Sequence, residues 1–256
     1  MPVSGHLLTE NKEQHQVPGP LTGHTRPLLQ APGGYTSWRA WLSGRFLPLS
    51  IFTLFLVANG LTLPREAVQL LHDGMRLYPL MQLLRHFLML GFLLLVAAAY
   101  LTRTHAVARA HGFWERGFPL FVLFATFAGM SFLGHNESAQ KVPLVMVGIL
   151  LTLIGFYFSL WALWHLRTSF GIMAEARSPV ISGPYHYIRH PLYLGEGLTM
   201  LGLCLAMGTA SALLFWVVWT GMQLGRAAVE ERKLAHQFED YRTYREGTRF
   251  ILPGLY

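Results

Sequence analysis

Two short polar clusters interrupt an otherwise apolar chain, and together their aromatic, imidazole, guanidinium and carboxylate groups outline an active site. The first, Ser182 to Glu196, reads S-G-P-Y-H-Y-I-R-H-P-L-Y-L-G-E. The second, Arg226, Glu230 and Glu231, follows about 35 residues later, beyond the next apolar run. Polar groups beside a membrane span are costly to keep and usually border a cavity. Pro191 pushes His190 toward extended backbone and suits the first position of a helix. The amides of Leu192 and Tyr193 then precede any intrahelical acceptor, which with the helix dipole favours a carboxylate or phosphate. Four residues apart, Arg226 and Glu230 share one helix face. They read either as a surface ion pair or as two ligand groups. Glu196, one turn into the apolar segment, is either a partner for Arg226 or a reacting group.

The elements that must hold these groups follow from composition. The 256 residues are 52% hydrophobic and 13% charged, against roughly 25% charged in soluble domains. Runs such as 87–101 and 142–163 have no water-facing side, which excludes a soluble amphipathic bundle. The expected fold is an all-α integral membrane protein of about six spans, near 46–63, 83–102, 117–134, 142–165, 192–207 and 210–225. The last two should form a short helical hairpin turning at Gly208 and Thr209, with a cytoplasmic C-terminal cap behind them. Roughly 16 of the 20 Lys and Arg fall on the side holding both termini, so both are expected in the cytoplasm.

Three regions are expected. Residues 1–45, rich in Pro and Gly, read as a disordered or interfacial arm without a signal-peptide pattern. Residues 46–165 form a four-helix membrane region, and 166–256 carry the polar clusters. An amphipathic piece is expected over 65–82. Gly91, Gly129, Gly148 and Gly155 are available for close helix packing. The lone Cys204, in an apolar run, excludes an internal disulfide and a cysteine metal site. His186 and His190 are spaced for a metal, but the turn between them and the lack of further ligands leave no expected metal site. No nucleophile elbow or glycine-rich dinucleotide loop is present. The scattered basic residues argue against nucleic-acid binding.

G-P-Y-H-Y-I-R-H-P-L-Y-L-G, then R-A-A-V-E-E-R-K-L, then Y-R-T-Y-R-E-G-T-R-F-I-L-P resembles the isoprenylcysteine carboxyl methyltransferase family, whose superfamily includes membrane phospholipid methyltransferases. The resemblance covers roughly 166–256. It implies a membrane enzyme transferring a methyl group from S-adenosyl-L-methionine to a lipophilic acceptor, a carboxylate, amine or thiol, that comes from the bilayer. It implies cofactor contacts from Tyr185, His190, Pro191, Leu192 and Tyr193, with Val180 and Gly183 beside them and Glu230 opposite. Arg226 would engage the acceptor, by a bidentate contact if that is a carboxylate, and Arg226 and Glu230 would form the catalytic pair. Tyr241, Tyr244, Arg249 and Pro253 would close the cap. The chain departs from the family at Gln237-Phe238-Glu239-Asp240-Tyr241, where a glycine is usual.

Two rivals share some of these residues. A membrane sterol or enone reductase using NADPH carries a similar R-H-P-x-Y-x-G-E block, into which Glu196 fits. A non-catalytic membrane partner would need no ligand at Glu230.

Overall fold

A computed structural model describes residues 46–73, 77–102, 106, 110, 112–133, 142–172 and 175–251. The expected arm over 1–45 and Pro253 lie outside the described residues. Eight helices carry the described fold: α1 (Leu47–Gly60), α2 (Leu63–Asp73), α3 (Leu77–Thr102), α4 (Phe118–Phe132), α5 (Val142–Leu166), α6 (Pro191–Met207), α7 (Ala210–Gln237) and α8 (Glu239–Gly247). Among the described residues there is no strand; Ile188 and Arg249 form an isolated bridge.

Three stretches are long and apolar enough to cross a membrane: Pro48–His72, Val142–Leu166 and Ala210–Gln237. His86–Thr102 and Pro191–Met207 are shorter apolar helices. The expected hairpin is short in one arm only. Helix α6 has 17 residues, but α7 runs for 28. Hydropathy falls at Arg226, yet R-A-A-V-E-E-R-K-L consists almost wholly of good helix formers, so the helix continues past the apolar run. The surface piece expected over 65–82 is also redistributed. Helix α2 is amphipathic and ends at Asp73, and α3 begins at Leu77, earlier than the expected span.

Helix α5 packs most extensively on α6. Small residues let the two backbones touch: a Cβ on Gly155 would sit 2.4 Å from Thr199 N, and one on Gly148 2.6 Å from Gly202 O. The turn into α7 is made by Gly208 in the left-handed region (φ 69°), and the Thr209 side chain then caps α7 by accepting from Ala212 N at 3.2 Å. Trp219 lies between α7 and α4, its indole N–H donating to Thr126 Oγ1 at 2.7 Å. One core cluster joins Phe52 of α1, Val96 and Tyr100 of α3, Leu163 of α5, the loop residues Phe170, Ile172 and Tyr185, and Leu192 of α6. The outward faces are apolar as well, with Leu54, Val57, Ile154, Leu214 and Val217 exposed. Such a continuous apolar exterior is what a bilayer covers.

Candidate active site

The first polar cluster is built by the loop joining α5 to α6. Gly183, at φ 62°, opens a 3₁₀ turn over Gly183–His186, and a Cβ there would lie 2.3 Å from the His165 ring. The glycine therefore seats the turn directly on the end of α5. Pro191 is buried and occupies the first turn of α6. The amide of Leu194 bonds to His190 O at 3.1 Å, leaving Leu192 and Tyr193 ahead of the intrahelical ladder.

Arg189 fixes this loop to the two elements that follow. Its buried guanidinium donates to Glu231 of α7 and to the carbonyls of Arg245 and Thr248 at the end of α8. His190 Nε2 lies 3.3 Å from the same Glu231 carboxylate, within ion-pair range but outside good hydrogen-bond geometry. The backbone completes the closure: Arg189 N donates to Arg249 O at 2.8 Å and His190 N to Phe250 O at 3.2 Å. Tyr244 donates its hydroxyl to Tyr185 O at 2.5 Å, and Tyr241 packs buried with Phe238 and Ala176. Burial holds the hydroxyls of Tyr185, Tyr241 and Tyr244 well above the usual tyrosine range, so all three serve the site as neutral groups.

Beneath this cap lies a cavity of about 580 Å³, within the 300–1,000 Å³ of small-molecule sites. Its lining changes character along its length. Val180, Tyr185, His190, Tyr193, Arg226 and Glu230 are at the polar end; Phe52, Met89, Phe92, Leu123, Phe156 and Met200 line the apolar part. The antiparallel helices α6 and α7 grade one into the other. Tyr193 donates to Glu230 Oε1 at 2.6 Å. One turn deeper, Gln223 Nε2 donates to Glu196 Oε2 at 2.7 Å, and Gln223 Oε1 accepts from Arg226 at 2.9 Å. A further turn along, Met200 faces the cavity with Trp219. Arg226 also donates to Ile172 O at 3.1 Å and lies 5.3 Å from the Tyr193 ring centroid. Its Nε is buried without a hydrogen-bond partner among the described residues.

Of the residues singled out in the sequence, Val180, Tyr185, His190, Leu192, Tyr193, Arg226 and Glu230 share this cavity. Gly183 and Pro191 do not line it; one is consumed in packing against His165 and the other in starting α6. Arg226 and Glu230 share a helix face, but each bonds across to another element and not to the other. Glu196 is linked to Arg226 through Gln223. The residues that sequence reasoning missed are connectors: Gln223, and Tyr100, whose hydroxyl accepts from Ile172 N at 3.0 Å. Arg189 and Glu231 stand in the two polar clusters of the sequence, which does not show that they pair.

Residues 143–241 match the family model described as phospholipid methyltransferase. The match runs from the start of α5 through the first turn of α8, and so contains the hairpin and both polar clusters. No curated protein matches the chain.

Proposed function

We propose that this protein is a membrane-embedded enzyme that uses S-adenosyl-L-methionine to methylate a lipophilic carboxylate, amine or thiol, a reading supported by the match of residues 143–241 to the phospholipid methyltransferase family model. The observation that carries the reading is the single cavity running from a polar end between α6, α7 and the cap into an apolar shaft. A soluble, zwitterionic donor needs the first, and a lipid-like acceptor needs the second. The distribution of Lys and Arg supports a cytoplasmic position for both termini.

The residues fit such a donor. The polar end offers first-turn amides at Leu192 and Tyr193 and a Glu230 carboxylate held by one tyrosine hydroxyl. That set would hold a carboxylate and a cationic centre together. When bound, S-adenosyl-L-methionine supplies a methyl group activated on a sulfonium. Glu230, oriented by Tyr193, favours positive charge beside it, and the amides at the start of α6 favour a carboxylate. The cap formed by Arg189, Glu231, Tyr241 and Tyr244 keeps bulk water from this end. Transfer of a methyl group asks mainly for orientation and water exclusion, which buried, cross-bonded side chains provide.

The test is thermal stabilisation of the detergent-purified protein by S-adenosylhomocysteine and by NADPH, in wild type and Glu230→Gln. Stabilisation by S-adenosylhomocysteine, weakened in the variant, is the expected result. Stabilisation by NADPH alone would replace this reading with that of a reductase.

A further inference from the structure

The charged groups of the cavity fall into two classes. Arg177 pairs with Glu175 at 2.5 Å, Lys233 with Glu115 at 2.5 Å, and Arg189 with Glu231. Among the described residues, the remaining charged side chains at the junction of polar end and apolar shaft are Arg226, Glu196 and Glu230. One guanidinium therefore stands against two carboxylates. A cationic donor restores neutrality there. With the donor bound and the pocket balanced, a carboxylate acceptor would add a negative charge that no further cation there compensates, which is unfavourable in a low-dielectric setting.

Depth separates the two carboxylates. Glu230 bonds to Tyr193, in the first turn of α6. Glu196 lies three residues further along α6, about 4.5 Å deeper, and the next cavity-lining positions beyond it on that helix are Thr199 and Met200. Its Oε2 is fixed by Gln223 at 2.7 Å, and its Oε1 has no hydrogen-bond partner among the described residues. Gln223 is itself fixed by Arg226 at 2.9 Å. The result is a carboxylate oriented through one oxygen, with the other open, at the point where the head of a lipophilic molecule in the shaft would come to rest.

We infer that Glu196 is the proton acceptor of the reaction and that the methyl acceptor is an uncharged protic group, an N–H, O–H or S–H, at the head of an apolar tail. This rests on the methyltransferase reading of the same cavity. In the step, the lone pair of the acceptor heteroatom forms the new bond to the methyl carbon. The carbon–sulfur bond of the donor breaks, its pair staying on sulfur, which becomes a neutral thioether. The acceptor proton passes to Glu196 Oε1. The negative charge of Glu196 is thus consumed as the positive charge of the donor disappears.

The experiment uses the full chain in detergent, with a labelled methyl donor and four probes sharing one tail: dodecylamine, dodecanol, dodecanethiol and dodecanoate. S-adenosylhomocysteine should stabilise wild type and Glu196→Gln alike, since Glu196 lies beyond the donor end. Wild type should methylate at least one protic probe in preference to dodecanoate. Glu196→Gln should lose about 100-fold or more in kcat on that probe, the usual scale of general-base catalysis, with KM within about threefold. Glu196→Asp should recover part of the loss. Preference for dodecanoate overturns the inference, as does Glu196→Gln turning over within threefold of wild type. Loss of S-adenosylhomocysteine stabilisation in both Glu196 variants also overturns it, by moving Glu196 to the donor end. Should Glu196→Gln fail to fold, the wild-type probe panel together with Glu196→Asp decides the matter. A wild type that S-adenosylhomocysteine does not stabilise at all sinks the methyltransferase reading first, and this result is distinct from the others.

Discussion

Glu230 and Arg226 illustrate what single residues settle and what they leave open. Their spacing put both on one helix face, which was legible in the sequence, and suggested that they meet. The fold instead gives Glu230 to Tyr193, 37 positions away, and Arg226 to Gln223 and Ile172 O. Helical spacing fixes a direction but not which neighbour lies across it. The assignment has separable consequences. Glu230→Gln keeps an acceptor for the Tyr193 hydroxyl and removes only charge, so thermal stability without ligand should change little. Affinity for S-adenosylhomocysteine should fall about 10- to 100-fold, corresponding to about 1.5–3 kcal/mol for a hydrogen bond to a charged group. Isothermal titration calorimetry measures both constants; equal affinities would remove Glu230 from the donor site. Arg226→Ala should act on turnover. Without the guanidinium, two carboxylates face the shaft uncompensated, and kcat should drop about 100-fold or more, the scale for losing one preorganised electrostatic group. If donor affinity falls equally, Arg226 belongs to the donor end.

Elements were legible where composition alone defines them. The apolar runs over 83–102, 142–165 and 192–207 correspond to helices, and Pro191 and Gly208 mark the ends of α6 as a first-turn proline and a left-handed glycine should. Glycine roles within helices were not legible, because glycine looks the same on every face. A Cβ on Gly155 would meet Thr199 N at 2.4 Å, whereas one on Gly91 would find only the tip of Leu160 at 3.9 Å. Gly155→Ala must therefore push α5 and α6 apart and should cost about 1–3 kcal/mol. Gly91→Ala should be neutral or slightly stabilising through backbone entropy. Thermal melts in one detergent compare the two; similar shifts would mean that the contact between α5 and α6 is not close. The cap depends in the same way on one pair. Glu231→Met strands the Arg189 guanidinium in a buried setting, and about 3 kcal/mol of destabilisation is expected. Pairing it with Arg189→Met should recover part of that loss, because the stranded charge is gone. A double variant less stable than either single one would show that the carbonyl bonds of Arg189, and not Glu231, hold the cap.

At the scale of the molecule, the two halves of the cavity come from different parts of the chain. The polar end lies in the family-matched segment, and much of the apolar shaft is lined from α1, α3 and α4, which the match does not reach. Selection of the acceptor tail is therefore expected to reside in residues 52–126, and donor binding is expected after 175. Sequence could not show this, since shaft residues and lipid-facing residues are chemically alike: Phe52 is buried, and Leu54, two positions on, is 70% exposed. Met89 offers the cleanest test. It lines the shaft on α3, 11 residues or about 16 Å before Tyr100, which holds the polar end. Met89→Trp places a rigid ring in the deep part of the shaft, and the flexible Met it replaces makes few specific demands. Stabilisation by S-adenosylhomocysteine should be unchanged. In a series of alkyl acceptors with a common head and increasing tail length, kcat/KM should hold for short tails and fall about tenfold or more for long ones, since each misplaced methylene is worth about 1–3 kcal/mol in an apolar pocket. A uniform loss at every length would mean that the substitution disturbs the fold. No loss at any length would mean that the tail leaves the cavity before α3 and stays in the bilayer.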